Sequence, residues 1–84
     1  MTKQYQWIDF VENSAKEETR KTKFWDVMGK NSLQHLGTVQ WWSHWRRYCF
    51  FPESNMIFDA NCLWDIADFI ANATTEHKQK KTTV

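Results

Sequence analysis

Apolar and polar residues alternate with different periods in three parts of the chain. Near the beginning, apolar residues recur at helical spacing at Trp7, Ile8, Val11 and Ala15, which predicts a helix over about residues 4–18. From Phe24 onward the period changes to two. Residues 24–28, 36–42 and 45–51 are rich in β-forming side chains and are separated by turn residues, so they predict three strands.

The last third of the sequence has the pattern of one amphipathic helix. Asp59 is a favourable N-cap, and the helix is predicted to continue to about Ala73. Its inward stripe consists of Leu63, Ile66, Ala67 and Ile70. Residues 74–84 contain one apolar side chain, so we expect this tail to be disordered.

These elements predict an α+β fold, in which a three-stranded antiparallel meander packs on the C-terminal amphipathic helix and an additional N-terminal helix precedes it. The chain then divides into an N-terminal helix and polar linker (1–23), a β-β-β-α core (24–73) and the tail (74–84). With a two-residue turn at Ser43-His44, or any turn of even length, side-chain alternation puts Val39, Trp41, Tyr48 and Phe50 on one sheet face. This more apolar face should meet the C-terminal helix, and Gly37 opposite Phe50 should leave room for the ring.

Length and composition exclude several classes of protein. A chain of 84 residues with 42% hydrophobic and 25% charged residues is typical of one globular domain. Its apolar runs are too short for a membrane span, and it does not open with a signal segment. Two cysteines are too few for a disulfide framework, which favours an intracellular setting.

Charge and motif spacing also narrow the possible functions. Residues 24–73 carry three arginine or lysine side chains against five carboxylates, so binding to long nucleic acids is not favoured. Neither a nucleophile motif nor a pair of close zinc ligands occurs, and two glycines do not make a phosphate loop. We therefore expect a protein that is not an enzyme and uses no metal or cofactor.

One constellation remains, around the turn between the second and third predicted strands. Indoles stack on nucleobases and guanidinium groups bind phosphate, while the same residue types are enriched in protein-contact hot spots and in cores. The candidate binding residues are Trp41, Trp42, His44, Trp45, Arg46 and Arg47. Six tryptophans among fourteen aromatic residues exceed what so small a fold encloses, so we also expect a homo-oligomer.

Several strings in residues 24–73 resemble a family of small, mostly uncharacterised proteins from bacteriophage and bacterial genomes. The most specific is Trp45-Arg46-Arg47-Tyr48-Cys49-Phe50-Phe51-Pro52, and a second runs from Cys62 through Leu63-Trp64-Asp65-Ile66-Ala67-Asp68 to Phe69. The resemblance implies a phage protein of the host cytoplasm, and small accessory phage proteins often look like inhibitors of host defence. It supplies no catalytic residues.

The hypothesis favoured by the sequence is a non-enzymatic phage accessory protein that counters host defence by sequestering a nucleotide-derived ligand through the Trp/Arg surface. One alternative is a direct protein inhibitor that binds a host defence enzyme through the same surface. Another is a structural or assembly subunit.

Overall fold

A computed structural model describes residues 5–13, 22–30, 32 and 34–82, with helical side chains through Gln79. The described residues form a four-stranded antiparallel sheet in the order β1-β2-β3-β4, and one long helix follows it. The elements are β1 (Ile8–Glu12), β2 (Phe24–Gly29), β3 (His35–Trp42), β4 (Arg47–Pro52) and α1 (Ala60–Thr82).

The predicted N-terminal helix is wrong where the structure describes it. Residues 8–12 form β1, which pairs antiparallel with β2, so the α+β fold has four strands and one helix. The physical reason is a period of two: Ile8 is buried, and Phe10 packs on the same core from the same sheet face, while Val11 is exposed. The helical reading did not use Phe10. Residues 4 and 14–18 of the predicted helix lie outside the described part of the chain.

The hairpin of β3 and β4 has a longer turn than the sequence predicts. The turn spans residues 43–46 instead of Ser43-His44, so β4 begins at Arg47 and Trp42 pairs with Arg47. Because four is also an even number, the predicted faces are retained. Val39 and Tyr48 lie on the helix side and are buried, as the alternation predicts.

The helix begins as predicted and ends much later. Its buried stripe is Ile66, Phe69 and Ala73, so the prediction that Leu63 and Ala67 face inward is wrong, because both are exposed on one side of the helix. The Asp59 carboxylate accepts a hydrogen bond from the Cys62 backbone N–H at 2.9 Å, which caps the helix. The helix then continues to Thr82, through most of the segment predicted as a disordered tail. Polar side chains explain the extension, because the Thr74 hydroxyl accepts a hydrogen bond from the Tyr48 N–H at 3.1 Å and His77 packs on Trp41. Composition alone does not show such contacts.

Aromatic rings build the core between the sheet and α1. Phe69 stacks on Phe10, with ring centroids 3.9 Å apart, and meets Trp25 edge-on at 4.9 Å. Gly37 pairs with Pro52 and not with Phe50, yet a Cβ at Gly37 would still lie 2.8 Å from the Phe50 ring. The buried cluster consists of Tyr5, Ile8, Trp25, Val27, Val39, Tyr48, Ile66, Phe69 and Ala73. Within the described residues, α1 is not apolar enough to cross a membrane.

Candidate functional site

The turn between β3 and β4 holds an arginine in an unusual backbone conformation. The Trp42 carbonyl accepts hydrogen bonds from the N–H groups of Trp45 at 3.2 Å and Arg46 at 2.9 Å, which closes the four-residue turn. Arg46 has φ 54°, in the left-handed region where glycine or asparagine is preferred. A side chain there costs about 1–2 kcal/mol. Such an outlier at an exposed turn motivates a functional explanation for the Arg46 side chain.

A cleft opens beside Arg46, between the turn and the C-terminal half of α1. Its volume is about 340 Å³, within the range of small-ligand sites. The cleft is lined by Trp41, Ser43, Arg46, His77 and Lys78. The lining contains one arginine, one lysine and one indole but no carboxylate, so the cleft suits an anion that also carries a flat ring.

Contacts between the sheet and α1 fix the wall of this cleft, which we call the tip cleft. Trp41 meets Tyr48 edge-on with ring centroids 5.2 Å apart, and it contacts the His77 ring at 4.4 Å. Tyr48 in turn donates its backbone N–H to Thr74. The indole is therefore partly structural, because contacts within the chain hold it in place.

Sequence reasoning missed the two residues that α1 contributes to the tip cleft. The composition of residues 74–84 places His77 and Lys78 in a disordered tail, whereas both lie in α1 and line the tip cleft. A signal was present, because His77 follows Ala73 by four residues and Ile66, Phe69 and Ala73 precede it in the same helical phase. A polar residue in phase with a buried stripe indicates that the helix continues.

Trp42 and His44 lie away from the tip cleft. Their rings stack with centroids 4.8 Å apart, and Trp42 meets Phe51 edge-on at 6.0 Å. Trp42 and Phe51 belong to the sheet face that points away from α1. Trp42 remains 38% exposed there.

Trp45 and Arg47 lie at a second opening, a groove between β4 and α1 with a volume of about 660 Å³. Arg47 donates from Nε to the Trp45 carbonyl at 3.2 Å, and the Trp45 indole is 64% exposed. The six residues predicted as one site thus fall in three places: the tip cleft, the open sheet face and this groove. Lys78 lines both the tip cleft and the groove.

A separate charged cluster connects the strands on the open sheet face. His35 Nε2 lies 3.0 Å from an Asp26 carboxylate oxygen, and its Nδ1 lies 2.9 Å from Glu53. Asn13 donates to the other Asp26 oxygen at 3.0 Å. The hydrogen bond to Asp26 raises the pKa of His35, against the lowering effect of burial, and Glu53 adds to the increase. This arrangement ties β2, β3 and the end of β4 together.

The cysteines and possible metal ligands do not form a reactive centre within the described residues. Burial raises the pKa of both Cys49 and Cys62, which disfavours the nucleophilic thiolate. In the same part of the chain, no three His, Cys, Asp or Glu side chains are close enough together to hold a metal ion.

Fold and tip cleft together define a small α+β protein in which an aromatic and cationic turn meets the end of a long helix. The chain is 32% identical over 77 residues to an uncharacterized 9.3 kDa protein of Acholeplasma phage L2, covering 92% of this chain and 96% of that protein. It belongs to the same family of small phage proteins. This alignment covers 77 residues, whereas the strings that resemble the family in the sequence analysis lie within residues 24–73. The similarity therefore extends beyond those strings. No family model and no solved structure matches the chain.

Proposed function

We propose that this chain is a non-enzymatic phage accessory protein that binds and sequesters a nucleotide-derived ligand in the tip cleft. The observation that carries the proposal is Arg46, whose left-handed backbone sets a guanidinium at a cleft that also contains Lys78 and the Trp41 indole. A turn selected for stability alone favours glycine at this position.

Three of the lining residues have distinct tasks in this proposal. The Arg46 guanidinium forms a bidentate pair with phosphate oxygens, and Lys78 adds a second, compact positive charge. Trp41 offers an aromatic surface to the base, and every nucleobase has a face that stacks on an indole. Two cations suit a mononucleotide or a small cyclic nucleotide better than a long strand, which needs many phosphate contacts.

Calorimetry against linear and cyclic nucleotides tests the proposal. The wild-type chain should release heat with at least one of them, and Arg46→Ala should weaken that binding by roughly 10- to 100-fold because a charge-assisted contact is lost. Arg47→Ala is the matched control, since it removes the same charge from the adjacent residue outside the tip cleft. The proposal fails if no nucleotide binds, or if both variants lose affinity equally.

A direct protein inhibitor is the second candidate, and exposed indoles favour it. Trp45 is 64% exposed and Trp42 is 38% exposed on either side of the protruding turn, and tryptophan is enriched in interface hot spots. The two functions separate in protein purified from host cells. A protein that sequesters a nucleotide should release a small anion when it is denatured. A protein inhibitor should instead copurify with one host protein, and Trp45→Ala should abolish that copurification.

The proposed role against host defence, in the host cytoplasm, rests on the phage relative. It predicts that cells with a nucleotide-signalled defence become sensitive to phage when they produce this chain. Cells that produce Arg46→Ala should stay resistant. Equal plating efficiency with and without the wild-type chain would remove this part of the proposal.

A further inference from the structure

The two flanks of α1 differ in chemistry. At 100° per residue, Asp65, Asp68 and Glu76 fall on the side toward β1, where Asp68 accepts a 2.7 Å hydrogen bond from the Tyr5 hydroxyl. The side toward β4 is apolar and uncovered: Leu63 is 49% exposed and Trp64 73%. We call this second side the apolar flank; it comprises Leu63, Trp64, Ala67, Ile70 and Ala71.

The groove beside β4 continues the apolar flank to the turn. Ala67, Ile70 and Ala71 form its helical wall, and Phe50 contributes to the strand wall. Trp45 lies at the end of the groove near the turn. Trp64 precedes Ala67 and Ala71 on the same stripe of the helix. The combined surface therefore has the Trp64 indole toward one end, the Trp45 indole toward the other and small residues between them.

The backbone of β4 is poorly suited to accept an additional strand. Glu53 donates its N–H to the Leu36 carbonyl of β3, so the even-numbered positions of β4 direct their N–H groups outward. The outward N–H of Tyr48 is already bonded to the Thr74 hydroxyl, and Pro52 has none. Any partner of the groove must therefore bind mainly by side-chain packing, as a helix does.

We propose that the apolar flank is a homodimer interface, in which α1 of a second copy packs antiparallel against α1 about a two-fold axis near Ala67 and Ala71. Small side chains at the crossing let the helices approach, and Trp64 of each copy then lies near the Thr74 end of the other helix. The same symmetry brings Lys78 of one copy toward the Asp59 cap of the other, so opposite charges meet at both ends of the interface.

The exposed area agrees with a dimer of modest affinity. A tryptophan side chain buries about 150–250 Å² when fully covered. Each copy therefore offers about 500 Å² of exposed surface for a second copy to cover. This surface comes from the exposed parts of Trp45, Trp64 and Leu63 and from the smaller residues between them. Two copies together bury about 1,000 Å², the lower limit for a specific interface. Trp41 and Arg46 do not line the groove and stay outside this interface, whereas Lys78 lines both the groove and the tip cleft.

Sedimentation of the full chain across the micromolar range tests the proposal. The wild type should have the dimer mass at the upper end of that range. Ala71→Lys places a charge at the helix crossing and should weaken dimerisation by roughly 100-fold. Asn72→Lys is the matched control: it adds the same charge one residue further along, on the exposed polar flank, and should dimerise as the wild type does.

Circular dichroism verifies that each variant is folded, and Trp64→Ala provides a second disruption that introduces no charge. Both Ala71→Lys and Trp64→Ala should be folded monomers. A wild type that is monomeric throughout the range overturns the proposal. So does a dimer whose affinity is the same in Ala71→Lys, Trp64→Ala and Asn72→Lys, because the copies would then meet elsewhere.

Discussion

Replacing Arg46 with glycine separates the stability of the turn from the function of its side chain. Arg46 occupies a left-handed conformation at φ 54°, which glycine adopts without steric cost. If the arginine is present for binding, its removal should stabilise the fold and weaken recognition of the ligand. Arg47, the first residue of β4, is the control, because its backbone lies in the regular strand.

The magnitude follows from two opposing terms. Relief of the left-handed strain contributes about 1–2 kcal/mol, and the larger entropy of glycine in the unfolded chain subtracts about 0.5–1 kcal/mol. Arg46→Gly should therefore raise the free energy of unfolding by about 0.5–1 kcal/mol, which increases the melting temperature by about 4 °C in a chain of this size. Arg47→Gly has no strain to relieve and should lower the free energy of unfolding by about 0.5–1 kcal/mol.

Urea denaturation and calorimetry on the same preparations provide the assay. Arg46→Gly should unfold at a higher urea concentration and bind the nucleotide at least tenfold more weakly. A decrease in its unfolding free energy of about 1 kcal/mol or more would refute the strain argument, since it would show that the Arg46 side chain packs structurally. Unchanged affinity would instead refute the assignment of Arg46 to ligand binding.

Three further predictions concern the framework. Tyr5→Phe removes the 2.7 Å hydrogen bond to Asp68 and should lower the unfolding free energy by about 1.5–3 kcal/mol in urea, whereas an unchanged value would mean that water replaces the hydroxyl. Gly37→Ala places a Cβ against the Phe51 carbonyl oxygen and 2.8 Å from the Phe50 ring, and should cost about 3 kcal/mol by the same measurement; a wild-type midpoint would show that β4 moves aside. The folded state raises the pKa of His35 above 6.5. The protonated ring therefore contributes fully to the free energy of unfolding below that pH, and this contribution is lost as the pH rises through the raised pKa. His35→Gln should therefore destabilise the chain more at about pH 6 than at about pH 9, and an equal loss at both would exclude a charged His35.

How far the sequence predicts this fold depends on whether local periodicity has one interpretation. Along β2 and β3, alternation and turn residues indicate the strands correctly, and Asp59 marks the start of α1. Residues 7–11 are ambiguous, because Trp7, Ile8 and Val11 fit a helix while Ile8 and Phe10 fit a strand. Pairing with β2 decides between them, and that contact is not visible in local spacing.

The candidate site could be predicted in composition but not in arrangement. Trp41 and Trp42 are adjacent in β3, so alternation places their side chains on opposite faces of the sheet. The two-residue period of a strand predicts this separation from the sequence alone. Arg46 reaches the tip cleft because it is the left-handed last residue of a four-residue turn. The two-residue turn predicted from the sequence would have placed Arg46 in the strand. His77 and Lys78 reach the tip cleft because α1 extends past Ala73, which polar contacts to the sheet determine.

The surplus of indoles on this short chain is distributed over more than one surface, and that changes how a partner should be sought. Trp41 is held by Tyr48 and His77 beside Arg46, whereas Trp45 opens on a groove whose opposite wall is the apolar flank of α1. A single ligand that covered both would have to span the β3–β4 turn itself. Lys78 lines both openings, so its removal should weaken both ligand binding and dimerisation. Substitution of Arg46 should affect ligand binding alone, and substitution of Ala71 should affect dimerisation alone.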